Sequence, residues 1–144
     1  MLSGCNDKKY LVGYYDDYAS YQEVCKWEKF VDEKYTPRDR WVDSLRTLDV
    51  DRPLHMRLFL GTYCGDSKKW VPRFFALQDE LPQMDLLIVS VDTTKKDARG
   101  LYKEVDLDKI PTFVLYDGEN EVGRIVEKPR GRLEKNLFHL LKNL

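Results

Sequence analysis

A chain of 144 residues has room for one hydrophobic core, since two independent cores of half that size would each be marginal. With 42% hydrophobic and 34% charged residues, it is ordinary globular material and not the polar, highly charged composition of a disordered chain. A net charge of -1 with interleaved acids and bases excludes the basic footprint that nucleic acid requires, and no run of 18 apolar residues is present to span a membrane.

Residues 1–9 open with Leu2-Ser3-Gly4-Cys5 and continue into polar Asn6-Asp7-Lys8-Lys9. The first four resemble the lipobox at which bacterial lipoprotein signals are cut, a signal that needs a basic stretch and about 7 to 15 apolar residues ahead of the cut. Only Met1 precedes the box as written, and the polar tether behind it favours a trimmed lipoprotein with lipid on Cys5. The expected location is then the bacterial cell envelope or periplasm, with an accidental match in a cytoplasmic protein as the alternative.

Tyrosine-rich residues 10–21 read as an extended segment or short strand entering a turn. Val24, Trp27, Phe30 and Val31 recur at helical spacing and predict a helix over 21–35, with Ser20 as N-cap and Glu23 completing a capping box. Thr36-Pro37 predicts a second cap, followed by a helix to about Asp49 whose apolar face carries Trp41, Val42, Leu45 and Leu48. LHMRLFL, 54–60, reads as a buried strand that stops at Gly61. Residues 67–80 predict a helix kinked by Pro72. LLIVSV, 86–91, is a second buried strand, followed by a short helix over 96–104. Strands at 112–116 and 121–127 flank an Asp117-Gly118-Glu119-Asn120 turn, and Leu133, Leu137, Leu140, Leu141 and Leu144 share one face of a final helix. This order predicts an α/β fold, a mixed sheet with helices on both faces and a helical extension ahead of it.

Three cysteines, Cys5, Cys25 and Cys64, are too few and too scattered for a disulfide scaffold or a zinc site. His55 and His139 stand apart without partner carboxylates and read as structural or exposed. No metal and no cofactor is expected.

RLFLGTYCGDS, Pro72 eight residues after Cys64, Val89-Ser90-Val91-Asp92, Ile110-Pro111-Thr112 and Asp117-Gly118 follow one another at the spacing of the thioredoxin superfamily, which residues 50–144 resemble. More narrowly, CGDSKKWVPRFF and the earlier FVDEKYTP are similar to a bacterial group of thioredoxin-like proteins. The resemblance implies a thioredoxin-like domain over 50–144 behind a helical extension at 10–49 and a tether at 1–9. It makes Cys64 the nucleophile at a strand-to-helix junction, where helix-end amides favour an anion. It makes Ile110 and Pro111 the loop, with a cis peptide, that pairs with an extended substrate.

Ser67 stands where a dithiol site has its second cysteine, and an alcohol cannot resolve a mixed disulfide. Its expected role is to cap the helix or to donate a hydrogen bond to the Cys64 thiolate. Asp66 opposes the thiolate and Lys68 and Lys69 favour it. Leu58 occupies the place of a buried aspartate found in many thioredoxins and can move no proton. Cys25 would have to lie within about 7 Å, between alpha carbons, to pair with Cys64; burial in its helix is the plainer expectation.

The expected activity is monothiol thiol–disulfide exchange on protein thiols or disulfides, by isomerisation or deglutathionylation more than net reduction, with glutathione as co-substrate. Tyr63, Gly65, Asp66, Ile110 and Pro111 are the expected substrate contacts. The alternative is a redox-inactive binding module that recognises an extended peptide or partner protein through Tyr63, Trp70 and the Pro111 loop.

Overall fold

A computed structural model describes residues 11–25 and 35–144, apart from the side chains of Gln22, Val24 and Cys25. Cys5 and the predicted helix positions Trp27, Phe30 and Val31 lie outside the described residues.

Among the described residues five strands form one mixed sheet in the order β1-β3-β2-β4-β5, where β1 is Gly13–Tyr15, β2 Leu54–Leu60, β3 Asp85–Ser90, β4 Thr112–Asp117 and β5 Asn120–Val126. β2 pairs with β3 in parallel, while β1 with β3, β2 with β4 and β4 with β5 are antiparallel. The helices are α1 (Tyr18–Cys25), α2 (Asp39–Arg46), α3 (Gly65–Ala76), α4 (Leu101–Glu104) and α5 (Leu133–Leu141), with a 3-10 turn at Gln78–Glu80.

Successive residues of a strand point to opposite faces, and β2 divides its apolar side chains accordingly. Leu54, Met56, Leu58 and Leu60 face a core completed by Trp70, Val71 and Phe74 of α3, Val42 and Leu45 of α2, and Leu133, Leu137 and Leu141 of α5. Phe59 joins Val89, Val91, Leu101, Val105, Ile110 and Val114 on the other face. Each such large apolar side chain, fully buried, contributes roughly 1.5–3 kcal/mol. The central strands are therefore fixed by burial on both faces, and the end of β2 carries the thiol loop from rigid ground.

Helix boundaries depart from the sequence expectation where distant side chains intervene. α1 begins three residues early because Asp17, rather than Ser20, caps it: the Ser20 amide donates to Asp17 Oδ1 at 2.7 Å. Thr36 and Pro37 stay outside α2, whose N-cap is Arg38 without a side-chain cap. There the buried Glu134 carboxylate of α5 accepts the Arg38 amide at 3.1 Å and the Tyr35 hydroxyl. The Arg73 guanidinium of α3 lies 4.5 Å from the Tyr35 ring centre and 4.9 Å from that of Trp70, so Tyr35 is stacked onto the thiol helix.

α4 is confined to Leu101–Glu104 instead of 96–104, because two aspartates take the amides first. Asp92 Oδ1 accepts from the Thr94 amide at 2.8 Å, the Thr94 hydroxyl at 2.6 Å and the Lys96 amide at 3.1 Å. Asp97 accepts the Leu101 and Tyr102 amides at 3.0 and 2.8 Å and also the Tyr14 hydroxyl. Burial pushes the Asp97 carboxyl up, but these hydrogen bonds outweigh it and hold it below the usual carboxylate value. Gly100, at φ 73, makes the left-handed entry into α4.

A thiol cleft at the head of the central strand

Chain leaving β2 passes Gly61, Thr62 and Tyr63 and reaches Cys64, the N-cap of α3. The first amides of a helix have no intrahelical acceptor and carry the positive end of its dipole, so the thiol sits where an anion is favoured. Cys64 is half-buried. Its Sγ–H donates to the Ile110 carbonyl at 3.5 Å, across the loop that ends in the cis Ile110–Pro111 peptide.

The loop is packed closely enough to require glycine at one point. A Cβ on Gly61 would lie 2.7 Å from Ile110 Cδ1 and 2.8 Å from Tyr63 Cζ, well inside ordinary contact. The Tyr63 ring lies against this bare backbone, and its hydroxyl donates to the Asp92 carbonyl at 2.6 Å. Asp92 in turn is fixed by Thr94 and Lys96, whose hydrogen bonds hold its carboxyl below the usual range. Tyr63 therefore joins the thiol loop to the loop after β3.

Tyr63, Cys64, Asp66 and Ile110 line one open cleft of ≈ 410 Å³, together with Lys95, Lys109 and Glu127. Those last three were not expected from the sequence, although Lys109 directly precedes Ile110-Pro111. Lys95 Nζ donates to the Asp108 carbonyl at 2.9 Å, and Lys109 pairs with Glu127 at 3.6 Å, so both lysines of the cleft wall have partners. Gly65 is exposed at the start of α3 and leaves open space where a side chain would stand. Pro111, expected as a substrate contact, is buried and is not among the residues that line the cleft.

Two residues sit elsewhere than expected. Ser67 is fully buried. Its Oγ is turned inward, where it accepts the Gly61 amide at 3.3 Å, and α3 has no side-chain cap. Trp70 is 9% exposed and belongs to the core, because Ser67, Trp70, Val71 and Phe74 form the α3 stripe that packs on the sheet; it offers no recognition surface. Leu58 is likewise buried among apolar neighbours.

A further connection enters from the start of the described chain. The Leu11 amide donates to Thr62 Oγ1 at 3.0 Å, and the Leu11 carbonyl accepts the Ser90 hydroxyl at 2.6 Å. Both Thr62 and Ser90 are fully buried. Sequence offers no signal for this, since the partners are 51 and 79 residues apart.

Among the described residues no group of three or more His, Cys, Asp or Glu is placed to hold a metal ion, and no helix is long and apolar enough to cross a membrane.

The sequence model of the thioredoxin family matches residues 13–136, starting in β1, well ahead of the region in which the motifs lie. Thioredoxin H2 of Arabidopsis thaliana is 26% identical over 107 residues, covering 74% of this chain and 77% of the relative. Thioredoxin H2-1 of Oryza sativa is 35% identical over 79 residues, covering 55% of this chain and 54% of the relative. Among solved structures, an HIV epitope-scaffold superimposes with a TM-score of 0.61 at 18% identity, covering 89% of this chain and 88% of the other. A protein of unknown function from Pseudomonas aeruginosa does so at 0.53 and 20%, covering 88% and 82%. At these identities the structural likeness establishes the fold.

Proposed function

Because this chain belongs to the thioredoxin family, whose fold generally needs no cofactor and whose substrates are protein thiols and disulfides, we propose that Cys64 carries out thiol–disulfide exchange as a single nucleophile. The observation that carries this reading is the position of Cys64: N-cap of a 12-residue helix, its sulfur on the wall of an open cleft beside the Ile110 carbonyl.

The Cys64 thiolate attacks one sulfur of a substrate disulfide, forming a mixed disulfide as the other sulfur leaves with the electron pair. Ser67 cannot carry out the second displacement, and its hydroxyl is already engaged with the Gly61 amide; its part is to hold the loop that bears the thiol. A second thiol, from glutathione or from the substrate itself, attacks the mixed disulfide and returns Cys64 as thiolate. With a glutathionylated protein as substrate, the glutathionyl group passes to Cys64 and a second glutathione removes it as the oxidised dimer. With a misbridged protein, another substrate cysteine attacks and the outcome is isomerisation with no net electron transfer. Tyr63, Asp66 and Ile110 border the approach, and Gly65 keeps it open.

The test is transfer of glutathione from a glutathionylated peptide to the protein, followed by intact mass and by release of free peptide. Turnover is expected only when free glutathione is supplied, and Cys64→Ser should abolish both transfer and turnover. A protein that binds the peptide yet takes up no glutathione at Cys64 would be a binding module and would refute the exchange reading.

A further inference from the structure

Selectivity in the thiol cleft rests on the reading of Cys64 as the exchanging thiol, and it lies in the charges around that sulfur. Four of the seven lining residues are charged, Lys95 and Lys109 of one sign and Asp66 and Glu127 of the other. Two of these four hold a left-handed backbone: Lys95 has φ 63 and Glu127 has φ 60, and among the described residues Asp106 alone of the other non-glycine positions does the same. That conformation is costly for a residue with a side chain, persists only where the surroundings impose it, and gathers at ligand clamps and active sites. Here the Lys95 amide donates to the Asp92 carbonyl at 2.9 Å, inside the turn that Asp92 Oδ1 closes on Thr94 and Lys96. The Glu127 amide donates to the Pro111 carbonyl at 2.7 Å. Both charges are thus set at the cleft by backbone held against its own preference.

Their pairing leaves a definite pattern. Lys109 is balanced by Glu127. Lys95 donates to a neutral acceptor, the Asp108 carbonyl, so its charge has no counterion among the described residues, and Asp66 makes no ion pair among them either. The nucleophile is flanked by one uncompensated cation, one uncompensated anion and a second cation able to change partner.

We propose that the cleft selects the glutathionyl group, in which the cysteine carries a carboxylate on one side and a carboxylate with an ammonium on the other. Lys95 takes one carboxylate, Asp66 takes the ammonium, and Lys109 turns from Glu127 to the second carboxylate. A cysteine inside a protein chain has neutral peptide groups in those places and gains none of these contacts. The Cys64 thiolate attacks the sulfur of the bound glutathionyl group; the Cys64–glutathione bond forms, the original disulfide breaks, and the other sulfur leaves with the electron pair and takes a proton from solvent.

The experiment compares two disulfides on the reduced full-length chain at pH 7, oxidised glutathione and the neutral disulfide of mercaptoethanol, with the adduct on Cys64 followed by peptide map. The neutral probe reports the reactivity of the thiol itself, so the ratio of the two rates isolates recognition. Lys95→Gln keeps a donor for the Asp108 carbonyl and should lower the ratio about three- to five-fold, the most that one partly exposed ion pair contributes. Lys95→Glu adds repulsion and should lower it about ten-fold or more, whereas Lys95→Arg should match the parent. Glu127→Gln frees Lys109 and should raise it about two-fold. Lys96→Ala removes the same charge from an exposed residue outside the cleft and should leave the ratio unchanged. Equal ratios in the parent, Lys95→Gln and Lys95→Glu, or an equal fall in Lys96→Ala and Lys95→Gln, would overturn the proposal while leaving Cys64 as nucleophile. Absence of any adduct on Cys64 from either disulfide would instead refute the exchange reading and the selectivity with it.

Discussion

Replacing Ser67 by alanine separates two roles that a hydroxyl near a thiol can have. Ser67 Oγ accepts the Gly61 amide at 3.3 Å, and both residues are buried. Ser67→Ala strands that amide without an acceptor, which costs roughly 1–3 kcal/mol, the lower half of the range suiting so long a bond. Alanine recovers a few tenths of a kcal/mol through its better helix propensity, leaving a net loss of about 1 kcal/mol. For a domain of this size that corresponds to a fall in melting temperature of about 3 °C, measurable by circular dichroism or calorimetry. The hydroxyl is spent on the loop and not on the sulfur, so the rate at which Cys64 is alkylated at pH 7 should stay within about two-fold of the parent. An unchanged melting temperature would mean that the Gly61 amide has another acceptor. A tenfold fall in alkylation rate would mean that Ser67 acts on the thiolate, and the inward-facing assignment would be wrong.

Gly61→Ala should lower stability by roughly 1–3 kcal/mol through overpacking, because the new methyl would press on Ile110 and on a Tyr63 ring pinned at Asp92; a variant that melts with the parent and keeps its tyrosine fluorescence would refute this. Glu134→Gln should cost about 1–3 kcal/mol at pH 7, since one amide oxygen cannot serve the Tyr35 hydroxyl and the Arg38 amide as a carboxylate does. Burial pushes the Glu134 carboxyl up, but hydrogen bonds from Tyr35 and Arg38 outweigh it and hold it below its ordinary value of 4.5. Its stabilisation is therefore full above about pH 5 and is lost as pH falls through the lowered value, so the gap in melting temperature between parent and variant should narrow toward pH 3. A gap that stays constant across that range would refute the linkage.

How much of this could be read from the chain depended on whether the determinant was local. LHMRLFL and LLIVSV declared themselves as buried strands because both faces of a central strand are apolar, and the hairpin around Asp117-Gly118 is encoded in four adjacent residues. The start of α2 did not, because the group that takes the Arg38 amide is Glu134, 96 residues away. The α4 boundary was hidden for a related reason: Asp92 and Asp97 close turns on neighbouring amides, which helical spacing does not register. At the site, Tyr63, Cys64, Asp66 and Ile110 were visible through local motifs. Lys95 and Glu127, and the Leu11 bridge to Thr62, come from segments that only the folded sheet brings together. Trp70, named as recognition surface only under the binding-module alternative, is sent inward by its helical phase with Val71 and Phe74.

The strand order also bears on how the molecule behaves in company. An open sheet offers its two outermost strands as templates for pairing with other chains, and proteins blunt that hazard by shortening or charging them. Here one outer strand, β1, has three residues and runs directly into Asp16 and Asp17. The other, β5, carries Glu121 and Arg124 in a charged pair and meets its neighbour through an irregular register at Leu115 and Tyr116. Lateral growth into a shared sheet is disfavoured on both sides, so the sheet that supports a reactive sulfur at one end resists stacking into aggregates along its flanks.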